Sequence, residues 1–161
     1  MSWRCFRLSA AADMAVTVKL HGGPINPGLI LNHFAQDHPD LGGLASFTGS
    51  VRGDDDVEAL ELIHYEKMTL KGMQDLADQA IARFDLQGLL IIHRFGIMAP
   101  QEPIVLVAAA AKHRREAIEA VDFAMDHLKS DSWFWKREKR AEGWRWIEPR
   151  EQDHSDLARW A

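Results

Sequence analysis

The sequence predicts an α+β sandwich, with helices packed on one face of a largely antiparallel sheet. Three observations carry this. Two long stretches have a 3.6-residue apolar period, two others are continuous apolar runs of strand length, and the elements through the middle of the chain follow the order β-β-α-β-β-α. At 161 residues, 47% hydrophobic and 27% charged, the chain has the size and balance of one globular domain with a real core.

Taken in order, Asn26-Pro27 starts a helix, Asn as the cap and Pro at the first helical position. Leu29, Ile30, Leu31 and Phe34 give that helix an apolar side, and Pro39 ends it. Gly43 to Arg52 alternates small, polar and apolar residues and reads as a strand. After the acidic turn Gly53-Asp54-Asp55-Asp56, a second strand near Ala59 to Glu66 completes an expected hairpin. Met73, Leu76, Ala77, Ala80, Ile81 and Phe84 then form one stripe of a long helix, with Thr69 as its expected cap. Gly88 to Phe95 and Ile104 to Ala111 are the two apolar strands, separated by the turn Pro100 to Pro103. Ala117, Ile118, Val121, Ala124, Met125 and Leu128 line a second long helix. Beyond Lys129 the period stops, and an aromatic and basic stretch runs to Trp146 before a short polar tail. At the other end, Met1 to Asp13 shows neither a period nor a continuous apolar core. It reads as a loose, dispensable extension, with Met14 opening a single domain over residues 14–161.

Composition narrows the chemistry. No apolar run approaches the ~20 residues that span a bilayer. The lone Cys5 offers neither a disulfide framework nor a cysteine metal site, which fits a reducing, cytoplasmic setting. A net charge of −5 argues against a general nucleic-acid binder, but the charge is uneven. From Lys129 to Arg150 there are seven basic and four acidic residues, so this segment is +3 and the remainder −8. A basic cluster on an acidic chain points to a specific anionic ligand. None of the eight histidines is paired at ligand spacing with a carboxylate, and no metal site is expected. Phosphate-cradling glycine loops, a G-x-S-x-G elbow and an H-E-x-x-H helix are all missing.

The candidates that remain are cationic. Lys129 closes the second long helix, and Lys136 follows seven residues later inside Trp133-Phe134-Trp135-Lys136-Arg137-Glu138. Lysines beside tryptophans can be partly desolvated and so tuned for proton transfer. The plainer reading is a helix-end lysine favoured by the dipole and a snorkelling surface lysine. Arg52 ends a strand and His113-Arg114 opens the last long helix. Each reads as ordinary exposed charge or as an anion grip. Trp133, Phe134 and Trp135 fit a core, a stacking platform or the wall of a flat heterocycle pocket.

Phe47-Thr48-Gly49-Ser50-Val51-Arg52, His93-Arg94-Phe95-Gly96, His113 to Ala117, and the block from Met125 through Lys129 and Phe134 to Trp146 occur in a fixed order. In this order and spacing, the chain resembles the large subunit of molybdopterin synthase from about Val16 onwards. The resemblance implies an α/β-hammerhead fold, a homodimer within a heterotetramer, and no cofactor. Its substrate would be cyclic pyranopterin monophosphate (precursor Z). Sulfur would come from the thiocarboxylated Gly-Gly tail of a small ubiquitin-like subunit, in two rounds that open the cyclic phosphate and leave a dithiolene. The resemblance places substrate binding at Ser50, Val51 and Arg52, at His113 and Arg114, at Lys129, at Lys136, Arg137 and Glu138, and at Arg150. Of these, Lys129 and Lys136 are the catalytic candidates, Lys129 for charge stabilisation and proton transfer and Lys136 for orientation. The chain departs from the family's usual proline at Trp133 and, after the His64-Tyr65 pair, at Glu66. Two rival readings are an RNA- or nucleotide-binding module stacking on Trp133, Trp135, Trp144 and Trp146, and a non-catalytic scaffold for a ubiquitin-like partner.

Overall fold

The two apolar runs become neighbouring central strands, and their lack of alternation has a direct cause. Each is covered on both faces, so every side chain meets protein. The computed structural model describes residues 15–54, 56–130 and 133–161. Its elements are β1 (Ala15–His21), α1 (Pro27–Gln36), β2 (Gly43–Ser50), β3 (Ala59–His64), α2 (Glu66–Arg83), β4 (Leu86–Arg94), β5 (Gly96–Met98), β6 (Pro103–Ala111), α3 (Arg114–Ser130), β7 (Phe134–Arg140), β8 (Gly143–Ile147) and α4 (Glu151–Ala158). The expected extension over Met1 to Asp13, and Met14 as the start of the fold, lie outside the described residues.

The strands form two four-stranded sheets, ordered β1-β4-β6-β2 and β5-β3-β7-β8. Among the described residues, only the β1–β4 pair is parallel. In the first sheet Leu89, Ile91, Val105, Val107, Ala109 and Ala111 face α2 and α3. Leu90, Ile92, Leu106, Ala108 and Ala110 face Phe34 of α1 on the other side. The two long helices thus share one face as expected, while the short first helix covers the opposite one. Ala117, Ala120 and Ala124 of α3 meet the alanines of β6, small against small, which draws the helix close to the sheet.

The expected hairpin of the Gly43 and Ala59 strands does not form. β2 pairs with β6 in the first sheet, and β3 pairs with β5 and β7 in the second. The chain changes sheets between them, held by the buried Val51 and Val57. Thr69 is not a cap either. The α2 helix begins at Glu66, and Thr69 lies fully buried within it, its hydroxyl donating to the Trp133 carbonyl at 2.9 Å. Asn26 does cap α1, accepting from the Leu29 N–H at 3.1 Å.

The aromatic and basic stretch is the β7–β8 hairpin, turning through Gly143 at φ 114°, a backbone conformation natural only to glycine. What reads as a polar tail is helix α4 and a docked C-terminus. Arg159 pairs with Asp122 and Asp126 of α3, and Trp160 packs edge-on to Phe84 and Phe123. Among the described residues, no helix is long and apolar enough to cross a membrane.

Candidate active site

Residues directly opposite in an antiparallel pair project to the same side, so register decides which residues of the basic stretch share a face. Leu62 stands opposite Lys136, Leu60 opposite Glu138 and His64 opposite Phe134. Leu60, Leu62 and Phe134 pack with Val51, Met98 and Ile104. Lys136 and Glu138 therefore sit on the inner face of the second sheet, turned toward the first. Trp135 and Arg137 fall on the outer face, beside Ile63 and Glu61.

Three elements bring cations together at this inner face. Lys136 comes from β7, Lys129 from the C-terminal end of α3, and Arg52 from the segment leaving β2. The Lys136 amine is pushed below its ordinary value, first by the protein crowding around it and then by the positive charge of Lys129, with Arg52 adding to the effect. Glu138 and Asp153 oppose it. Lys136 still reaches solvent, as do Lys129 and Arg52. Like charges gathered in this way favour an anion beside them and disfavour the charged state of the lysine.

The tryptophans do not build this environment. Trp133 packs into the core against Gly72 of α2, where a Cβ would lie 2.4 Å from the indole ring. Trp135, Trp144 and Trp146 are exposed, and Arg137 lies 4.6 Å from the Trp144 ring and 5.6 Å from that of Trp146. Arg137 also pairs with Glu61, and so is held on the outer face away from the lysines. The apolar floor beneath Lys136 is instead Phe134 and His93, stacked at 4.0 Å. Sequence reasoning singled out the His93-Arg94 pair only as part of a motif; an ionisable pair ending an apolar strand was the available signal.

The remaining candidates divide by position. Val51 is buried and Ser50 ends β2 beside it. Glu138 is bonded to Arg140 at 3.0 Å. Arg150 begins α4, its backbone N–H donating to the Asp153 carboxylate at 3.2 Å, so α4 starts near Lys136. Ser130 ties α3 to the same turn by donating to the Asp153 carbonyl at 2.6 Å. His113 and Arg114 are exposed at the opposite end of α3, beside Gly43, and the chain does not bring them to the lysines.

Burial leaves a measurable trace on His93. It is 8% exposed and its pKa is pushed from 6.5 down to about 4, chiefly by desolvation. Above pH 6.5 the ring is neutral whether the chain is folded or not. As pH falls toward 4, the unfolded chain takes up a proton that the folded chain resists, so stability falls. Over that window the loss is roughly 3 kcal/mol at 1.36 kcal/mol per pKa unit. Urea unfolding between pH 7 and 4 should show a steeper loss for the wild type than for His93→Gln by about that amount. Equal slopes would mean that the folded protein does not hold His93 neutral.

Two loops, one helix end and one strand thus converge on a site that crosses from one sheet to the other, and known proteins share both this architecture and its sequence. Residues 21–131 match the family model described as MoaE protein. A curated relative from Caulobacter vibrioides, the molybdopterin synthase catalytic subunit, is 44% identical over 144 residues, covering 89% of this chain and 96% of its own. The solved molybdopterin cofactor biosynthesis protein E from Burkholderia multivorans superposes with a TM-score of 0.76 at 36% identity, covering 91% of this chain and 97% of that one. Molybdopterin synthase from Staphylococcus aureus superposes with a TM-score of 0.70 at 25% identity, covering 80% and 95%. With matching sequence along most of its length and the same fold, the chain belongs to the MoaE family.

Proposed function

We propose that this chain is the catalytic subunit of a molybdopterin synthase, a sulfurtransferase acting in the cytoplasm. It converts cyclic pyranopterin monophosphate to molybdopterin with sulfur from the thiocarboxylated C-terminus of a small ubiquitin-like subunit. The observation that carries this reading is that Lys129 and Arg52, from two other elements, come close enough to Lys136 for their charges to act on it. The relative's name, a catalytic subunit, supports the need for a partner chain.

The residue types suit the chemistry. Arg52 offers forked donors to a phosphate, and Arg150 stands at the start of α4, whose Asp153 lies near Lys136. Thiocarboxylate attack leaves an acyl-linked intermediate whose breakdown needs charge stabilisation and a proton carrier. Lys129 supplies a fixed cation. Lys136 is the amine whose surroundings ease loss of a proton. Ser50, Val51 and Glu138 shape the walls beside them. Arg137 contributes from the outer face, bracing β3 against β7 and β8. His113 and Arg114 serve the pocket from a second copy of the chain, in a homodimer within a heterotetramer.

Incubation with thiocarboxylated small subunit and precursor Z should yield molybdopterin. Binding of the small subunit with no sulfur transfer would favour a scaffold instead. RNA affinity that falls steeply with salt, again without product, would favour a nucleic-acid module.

A further inference from the structure

Arg94 has no part in the chemistry above, yet its placement is unusual for a charged residue. It ends β4 at 3% exposure, its Nη1 donating to the Glu102 carboxylate at 2.9 Å and to the Pro103 carbonyl at 2.9 Å. Its Nε is buried with no hydrogen-bond partner among the described residues. Taking a guanidinium out of water is unfavourable, and an apolar residue of similar volume often serves a core equally well. A buried donor without a partner calls for a reason beyond packing.

The reason lies in what Glu102 holds. It belongs to the turn between β5 and β6, where Gln101 sits at φ 72°, a strained conformation for a residue with a side chain. That turn grips the exit from β2 through two backbone bonds. The Val51 N–H donates to the Glu102 carbonyl at 2.9 Å, and the Gln101 N–H donates to the Val51 carbonyl at 2.8 Å. Gly53 lies so close to Pro100 that a Cβ there would stand 3.2 Å from the proline ring. Between these contacts is Arg52, whose own ion pair with Asp54 is long at 4.0 Å and exposed on both sides. Such a pair restrains a side chain weakly. The backbone on which Arg52 stands is therefore set by the turn, and the turn is anchored through Arg94.

We infer that Arg94 and Glu102 are positioning residues that hold Arg52 for its grip on the substrate anion. This rests on the reading of Arg52 as that grip. The pair touches no substrate and acts through the Val51-Arg52 backbone, so its effect depends on Arg52 being present.

The test is a double-mutant cycle in the complete synthase, assembled with thiocarboxylated small subunit and assayed against varied precursor Z. Glu102 is accessible enough for Glu102→Gln to fold, which melting temperature checks. That variant is expected to raise KM roughly five- to tenfold with kcat within about twofold. Placed on Arg52→Ala, it should add almost nothing. Arg94→Lys keeps the charge but loses the fork, and should show the same rise in KM and the same silence on Arg52→Ala. Effects of Glu102→Gln and Arg52→Ala that multiply, or an unchanged KM in both single variants of the pair, would overturn the positioning role and leave Arg52 as the grip. An unchanged KM in Arg52→Ala would overturn the reading of Arg52 and this inference with it.

Discussion

Lys129→Ala is expected to abolish dithiolene formation while the protein stays folded. The side chain is exposed at the end of α3, flanked by the buried Leu128 and Ser130 that hold the helix in place. Removing it opens no core cavity, so unfolding free energy should stay within roughly 0.5 kcal/mol of wild type. Turnover, by contrast, should fall by about two to four orders of magnitude, the usual range for a proton-transfer or charge-stabilising group. Lys136→Ala should fall as far. The two lysines also report on each other, because the charge of Lys129 is one cause of the lowered pKa of Lys136. In Lys129→Ala the Lys136 amine should therefore titrate at higher pH, which NMR of its ε-methylene can follow. Near-full turnover in Lys129→Ala would remove it from the catalytic set. An unmoved Lys136 titration would show that the two charges do not meet.

Mixing two inactive chains should restore activity. Arg114 and Lys129 lie 15 positions apart on one continuous helix, or roughly 22 Å at 1.5 Å per residue. One small pterin cannot bridge that span on a single chain, so a pocket that uses both needs two copies. In a mixed dimer of Arg114→Ala and Lys129→Ala chains, one site keeps Lys129 and Arg114 intact and the other loses both. Random pairing makes half the dimers mixed, and recovery should approach roughly a quarter of wild-type activity. Each parent alone should stay near zero. No recovery with mixed dimers demonstrated by mass would place the pocket within one chain and leave the exposed His113-Arg114 end with a separate role.

Much of this molecule is local and therefore readable. A helix stripe at 3.6 residues reports which side is buried, and α2 and α3 carry Met73, Leu76, Ala77, Ala80, Ala117, Val121, Ala124 and Leu128 where that period puts them. An apolar run without alternation reports a strand covered on both faces, as β4 and β6 are. The order of the motifs, read against a known family, singled out the lysines and arginines proposed for the site. Strand partnership is different, because it is set by contacts far apart in sequence. The chain neighbours β2 and β3 look like a hairpin, yet each gains more by pairing elsewhere, β2 against the buried β6 and β3 between β5 and β7. The alternation of β7 was hidden because both its faces carry charge and aromatics. Only the register against β3 shows that Lys136 turns inward while Trp135 and Arg137 turn outward. The polar tail became a helix for the same reason, since Arg159 and Trp160 find Asp126 and Phe123 of α3 only after folding. The sequence by itself thus determined most of the buried helix stripes and which residues carry charge, although Ile118 and Leu29, read as apolar-side residues, are exposed. Tertiary structure decided which strands meet, and with that which charges come together, because a period reports on a segment and pairing is a property of the whole chain.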